Sequence, residues 1–372
     1  MHDTTDSMIF NIQVKTLDLI DRFKSLFSIF FGLLLLATTN CTPSVQTHGG
    51  FIQPPKLITN FIVTSDGIKL PLTVWLPKHS PPRGAVVALH GFNDHSGAFK
   101  DLGAKLAKTG LALYAYDQRG FGDSKERGIW PGERILTKDL KEVVFLVKKK
   151  HPNIPIHALG ESMGGAVILT AMASKRTSER PKIDGAILSA PAVWGRSTMP
   201  LWQSKLLDTF AYILPMVRLK PQGLDIKPSD NKKMLRALAD DPRYITETRI
   251  DAIYGLTNLM DSALESSSYQ NMPLLILYGA NDALVPKSST CEMLFKLATK
   301  SKDKSWRLVF YPNGYHLLFR DLSGALVADD ITAWLIQRDT HLPSGHEVSF
   351  SADKMQPKDS LKADCIKLFV KH

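Results

Sequence analysis

Of the 372 residues, 44% are hydrophobic and 22% charged, which excludes a disordered, collagenous or coiled-coil chain and leaves room for one large core with an inserted subdomain. The formal net charge is +10, but the basic residues are dispersed. Their densest run, Lys148–Lys150, closes a helical pattern where cations suit the helix dipole, so nucleic acid is not an expected partner. The three cysteines, Cys41, Cys291 and Cys365, form no CxxC pair and are expected to make neither a disulfide framework nor a structural zinc site.

Residues 1–41 read as an address rather than part of the fold. Phe27–Ala37 (FSIFFGLLLLA) is a compact apolar block. As a helix it would rise only about 16 Å, short for a bilayer span but suited to the apolar region of a secretory signal. Lys15, Arg22 and Lys24 precede it, together with Asp3, Asp6, Asp18 and Asp21; a start at Met8 would drop two of those acids. Cys41 sits where a bacterial lipoprotein carries its lipid, although Asn40 stands where Gly, Ala or Ser is usual. The expectation is a bacterial protein that is exported or membrane-associated, anchored through Cys41. An uncleaved amphipathic leader lying on a membrane is the alternative, and a cytoplasmic location stays open.

From 55 to 191 strands and helices alternate. Ile58–Val63 and Ile68–Trp75 are β-rich runs joined around Asp66-Gly67, a hairpin signal. Short apolar runs that suit buried parallel strands follow at Ala85–Leu89, Leu111–Tyr116, Ile156–Leu159 and Ala186–Leu188. Two more, Leu274–Tyr278 and Leu308–Phe310, lie in a second part, 273–340. Leu136, Leu140, Val143, Val144 and Val147 keep a 3.6-residue period, as do Val327, Ile331, Trp334 and Leu335. The pattern predicts an α/β fold: a mostly parallel eight-stranded sheet with helices on both faces. Between 192 and 272 no strand is convincing. Leu206, Leu207, Phe210, Ile213 and Leu214 follow a helical turn, and Pro215, Pro221 and Pro228 punctuate the segment. It reads as an inserted helical cap. The polar tail, 341–372, is expected to be loosely ordered.

The most specific signal is Gly160-Glu161-Ser162-Met163-Gly164, a G-x-S-x-G between a predicted strand and an apolar helix. A strand-to-helix elbow forces its serine into a strained backbone conformation and exposes the hydroxyl above the sheet. Gly160 and Gly164 supply the room, and the Met163 amide points at a developing oxyanion. A serine hydroxyl needs a base and a group that orients the base. Among eleven histidines, His316 lies in a loop after a late strand and before the last helix, whereas His341, His346 and His372 lie in the tail. His157, within a strand, suits packing. Asp282 follows the strand Leu274–Tyr278 and suits the orienting acid, with an Asx turn as the bland alternative. The second oxyanion amide is expected at Phe92, after His90-Gly91. His90 is read as structural, and Asn93, Asp94 and His95 as loop hydrogen-bonders.

Taken together, HGFNDHSG, DQRGFGDS (Asp117 to Ser124), GESMGG, YGANDALVP and NGYH resemble the α/β-hydrolase fold. Within it they resemble the monoacylglycerol lipase and lysophospholipase group, also catalogued as serine aminopeptidase S33-like hydrolases. The likeness runs from about residue 58 to 338, with the motifs in the family's chain order. It departs from the usual HGxGEHSGRY where Asn93-Asp94 replaces Gly-Glu and Ala98-Phe99 replaces Arg-Tyr. The resemblance implies Ser162 as nucleophile, Asp282 as acid, His316 as base, Phe92 and Met163 as oxyanion donors, no metal or other cofactor, and a lipid ester substrate, with a membrane surface as a further partner. Met199, Trp202, Phe210, Tyr212 and Met216 are candidate liners of an apolar pocket, each with simple core packing as the plainer reading; the substrate-binding residues are otherwise unassigned. Competing readings are a peptidase or amidase on the same triad, and a lipid-binding protein with a decayed site. Haloalkane and epoxide hydrolases need a carboxylate at the elbow, against which Ser162 argues.

Overall fold

The computed structural model of the protein describes residues 24, 42–220, 226–300, 305–348 and 365. The expected leader lies outside the described residues, apart from Lys24, and so does most of the tail beyond 348.

The strands are β1 (Lys56–Ile58), β2 (Phe61–Val63), β3 (Lys69–Trp75), β4 (Gly84–Leu89), β5 (Leu111–Tyr116), β6 (Ile156–Glu161), β7 (Gly185–Ser189), β8 (Arg218–Leu219), β9 (Thr248–Arg249), β10 (Leu274–Gly279), β11 (Trp306–Tyr311) and β12 (Glu347–Val348). Ten of them form one sheet in the order β1-β2-β3-β5-β4-β6-β7-β10-β11-β12. The six from β5 to β11 run parallel, with antiparallel strands at both margins. β4, β5, β6, β7 and β10 are buried along their whole length, the signature of a sheet covered on both faces.

Against the expected eight strands, ten are found in the sheet among the described residues. The run Ile58–Val63 breaks at Thr59-Asn60, where the chain reverses and pairs Ile58 with Phe61. The Asn60 carbonyl there accepts from the Leu72 amide, so the turn is fastened to β3. The tenth strand, β12, comes from the tail and pairs with β11. Nothing in its composition marks it, because an edge strand two residues long is stabilised by its neighbour rather than by propensity.

The helices with described bounds are α1 (Lys100–Lys108), α2 (Glu133–Lys150), α3 (Met163–Met172), α4 (Leu201–Ile213), α5 (Lys232–Ala239), α6 (Ile250–Ser266), α7 (Lys287–Lys300) and α8 (Gly324–Ile336). Helices α1 and α8 cover one face of the sheet through Leu102, Leu106, Ile331 and Trp334. Helices α2, α3, α6 and α7 cover the other, with Leu140, Val144, Ile168, Leu259 and Leu294 in a single apolar cluster. The predicted period on α2 therefore faces the core, and Lys148, Lys149 and Lys150 fall in its last turn.

Within the expected cap, α6 packs in this core layer. The described parts of 196–249 reach the loops at the carboxyl edge of the sheet, where Ile245 and Thr248 bond Asn93 and the Pro228 carbonyl accepts from the Leu317 amide. They also hold a strand pair, β8 with β9, so the expectation of no strand there is corrected. Arg196 fastens the base of this segment, hydrogen bonding Asp208 and Asp261.

Two of the three cysteines pair, although they build no framework among the described residues. Cys291, on α7, and Cys365 form a disulfide across 74 positions, and both are buried. Two cysteines far apart in sequence carry no spacing signal; the fold brings them together.

Candidate active site

The elbow is built from close approach of backbones. Ser162 has φ 52° and ψ −114°, a conformation that is strained for a residue with a side chain. A Cβ at Gly160 would collide with the Gly164 and Gly165 backbone, and one at Gly164 with the Leu89 carbonyl. Glycine at both positions lets β6 turn directly into α3 beside β4. The Ser162 amide donates to the Ser189 carbonyl (2.9 Å), and the Ser162 carbonyl accepts from Ala192 (2.9 Å), which ties the strained residue to β7 and the loop after it. Met163 is the first residue of α3, and its amide has no acceptor within the helix.

Asp282 and His316 meet after β10 and β11. His316 Nδ1 lies 2.8 Å from Asp282 Oδ2, and both side chains are buried. The other carboxylate oxygen, Oδ1, accepts from the Leu284 amide (2.8 Å) and the Val285 amide (3.0 Å). The Asx turn weighed as the bland alternative for Asp282 is thus the device that aims it. The two loops are stitched by the Ala280 amide on the Tyr311 carbonyl and the Asn281 amide on the Gly314 carbonyl, both 2.9 Å. Burial pushes the imidazole toward its neutral form, but the charge and hydrogen bond of Asp282, with the charge of Glu161, outweigh it and raise the His316 pKa. Ser162 stands at the same carboxyl edge, immediately after Glu161.

The loop after β4 is held from three sides. Within it, His90 Nε2 accepts from the Gln118 amide (3.0 Å), which leaves Nδ1 to donate to the Gly91 carbonyl (2.8 Å). Burial lowers the His90 pKa, so the ring is neutral and structural, as its position suggests. Gln118 belongs to the DQRGFGDS segment. There Asp117 accepts from the Ser96 amide, and Arg119 is locked between Asp66 and Asp139. The Phe92 ring packs edge-on to Phe121 and near Trp130, with centroids 5.5 and 6.3 Å away.

Residues 93–95 do more than bond within their loop. Asn93 has φ 66°; its Nδ2 donates to Thr248 Oγ1 (2.6 Å) and its carbonyl accepts from the Ile245 amide (2.9 Å). His95 Nδ1 accepts from the Gly97 amide, and Nε2 lies 3.3 Å from Asp241 Oδ2. The loop after β4 is therefore clamped to the segment 241–248. Asp94 turns the other way, to Arg320 (2.7 Å), which also holds Glu161 (2.7 Å). Sequence reasoning did not select Arg320, Glu161, Thr248 or Asp241. Glu161 carried one available signal: a carboxylate at the end of an otherwise apolar strand has to find a cation.

His157 is buried in β6, edge-on to Trp334 at 5.5 Å, and burial lowers its pKa to about 4, which suits packing. The candidate pocket liners are mostly outside any core. Trp202 and Met216 are 66% and 67% exposed and Phe210 and Tyr212 lie on the surface, while Met199 packs against the main apolar cluster. These exposed side chains face outward, which helical periodicity alone cannot distinguish from inward.

A strained serine at a strand-to-helix elbow, with an aspartate–histidine pair after two later strands of one parallel sheet, defines an α/β-hydrolase of the serine type. Residues 80–323 match the family described as serine aminopeptidase, S33, and the chain belongs to that family. Human monoglyceride lipase is 30% identical over 288 residues, 74% of this chain and 90% of that one. A monoacylglycerol lipase of Mycolicibacterium smegmatis is 28% identical over 282 residues, 73% of this chain and 94% of that one. Among solved structures, a soluble variant of monoglyceride lipase from Saccharomyces cerevisiae in complex with a substrate analog shares the fold. Its TM-score is 0.62 at 22% identity, covering 80% of this chain and 97% of that one.

Proposed function

We propose that the protein is a serine hydrolase of carboxylic esters whose substrate is a monoacylglycerol or a lysophospholipid. The observation that carries the chemistry is the 2.8 Å contact between buried His316 and Asp282, at the edge where the elbow places half-buried Ser162. Ser162 Oγ attacks the ester carbonyl while His316 Nε2 takes its proton. Asp282 holds the Nδ1 proton in place and stabilises the imidazolium without accepting a proton itself. The tetrahedral oxyanion rests on the Phe92 and Met163 amides. His316 then protonates the leaving alcohol, and water releases the acid from the acyl-enzyme by the reverse sequence.

The lipid substrate is supported by the monoacylglycerol lipase relatives and by the apolar outer face of the cap. Leu201, Trp202, Leu206 and Met216 are exposed there, an arrangement suited to contact with a lipid surface. The Cys291–Cys365 disulfide supports export, since such bonds persist in oxidising compartments. Anchoring through Cys41 is part of the same proposal.

The test is a hydrolysis panel on purified residues 42–372, with monoacylglycerols, lysophospholipids and aminoacyl anilides. A fluorophosphonate probe should label the wild type and not Ser162→Ala. Turnover of the anilides with none of the glycerol monoesters would replace this reading with the peptidase one. Absence of labelling in folded protein would favour the lipid-binding reading. For the anchor, intact-mass analysis of membrane-fraction protein should show a chain beginning at Cys41 and carrying lipid. A mass that includes residues 1–40 would refute cleavage.

A further inference from the structure

Three ionisable side chains that the acid–base steps above do not use meet beside them. Arg320 Nη2 lies 2.7 Å from both Asp94 Oδ2 and Glu161 Oε2. The three come from separate places: Asp94 from the oxyanion loop, Glu161 from the last position of β6, and Arg320 from the turn after His316. Asp94 and Glu161 are buried, Glu161 completely, and the Arg320 side chain is only 9% exposed. Burying a carboxylate is costly unless a cation accompanies it, and removing that cation is costlier still. Here one guanidinium serves two carboxylates, so the cluster keeps a surplus negative charge. Glu161 Oε1 and Arg320 Nε make no hydrogen bond to the protein, so the cluster is not saturated as a structural staple would be.

The location of that surplus matters. Glu161 immediately precedes Ser162, and Arg320 stands four residues after His316. We propose that Asp94, Arg320 and Glu161 form a positioning cluster for the acid–base step, in which Arg320 favours the ionised form of Glu161 beside the nucleophile and the surplus negative charge then favours the imidazolium that His316 becomes on taking the serine proton. The inference rests on the serine-hydrolase reading. Arg320 also joins the oxyanion loop, through Asp94, to the histidine loop, so both halves of the site are braced by one residue.

The groups facing the imidazole are Asp282 after β10, Glu161 at the end of β6 and Arg320 on its own loop. Glu161 is in turn faced by Arg320, Asp94 and His316. Tyr244, from the cap, faces Asp94, Arg320 and Glu161; burial and the two carboxylates raise its pKa and keep it neutral. His90 faces Asp94 and is held neutral by burial. Burial raises Glu161 to about 7 against the pull of Arg320, so its charge is complete only on the alkaline side of neutrality. Both effects have one sign. Removing Glu161 lowers the proton affinity of His316, and it removes a second ionisation that productive turnover requires.

The experiment is the pH dependence of kcat/KM on a soluble glycerol monoester for the wild type, Glu161→Gln and Asp94→Asn, with fluorophosphonate labelling and circular dichroism of each. The acidic limb reports the free enzyme's base. In Glu161→Gln it should move to lower pH by about half to one unit, with a plateau kcat about tenfold lower. Asp94→Asn should move it in the same direction by less, and remains available if Glu161→Gln does not fold. Folded, labelled variants whose limb coincides with the wild type would overturn the proposal and leave the cluster a brace of the fold. A wild type that neither labels nor hydrolyses esters would instead remove the serine-hydrolase reading on which the cluster's role rests.

Discussion

The two candidate oxyanion amides are held by opposite means. Met163 is placed by the elbow, a few consecutive residues whose shape follows from glycines at 160 and 164 and from the backbone of β4. Phe92 is placed by a loop whose Asn93 and His95 reach into the cap, to Thr248, Ile245 and Asp241, and whose Asp94 reaches Arg320. One half is rigid by local sterics. The other depends on where an inserted segment sits, so movement of the cap would be felt at Phe92 and not at Met163.

Substitutions can break each half in turn, and the largest effect is expected at the elbow. Gly164→Ala would drive a methyl group into the Leu89 carbonyl, where no flexible side chain can yield. It should destabilise the protein by about 3 kcal/mol or more, as severe overpacking does, and abolish probe labelling. Normal folding and labelling would show that the elbow has slack. Asp282→Asn leaves the loop in place but removes the charge that orients His316. It should lower kcat by about 10⁴-fold with folding intact, as loss of the orienting acid does. A fall of only a few-fold would assign the orienting role elsewhere.

On the other side of the comparison, Thr248→Val deletes the acceptor of the Asn93 side chain while preserving shape. A loosened oxyanion donor should lower kcat by about tenfold, less than the 100- to 1000-fold for outright loss of one donor. No change would mean that the Ile245–Asn93 backbone bond and the Arg320 bridge suffice. The smallest effect on rate is expected far from both halves, at the disulfide. Cys365→Ser should reduce stability by about 2–4 kcal/mol, seen as a lower urea midpoint, with kcat of the folded enzyme unchanged. A changed kcat would connect the tail to the site.

Much of the sheet was readable because buried parallel strands are continuous apolar runs. The six central ones, from Ala85–Leu89 to Leu308–Phe310, fall within observed strands. The turn at Thr59-Asn60 and strand β12 were not readable, because short edge strands take their stability from the partner beside them. Asp282 and His316 stood out as polar residues just past strand ends, and the structure joins them. Arg320 did not: an arginine in a loop near the carboxyl end of the chain looks like any surface cation until two carboxylates, 159 and 226 positions earlier, close around it.

The sequence by itself determined the alternation that makes a parallel sheet, the glycines that permit an elbow, and the order of serine, aspartate and histidine. All of these depend on neighbours within a few residues, where spacing is geometry. Tertiary structure alone decided which loop is tied to the cap, which cation accompanies the buried Glu161, and that Cys291 finds Cys365. Those are pairings between distant segments, and a buried charge or a thiol acquires its partner only when chain folding removes the water between them.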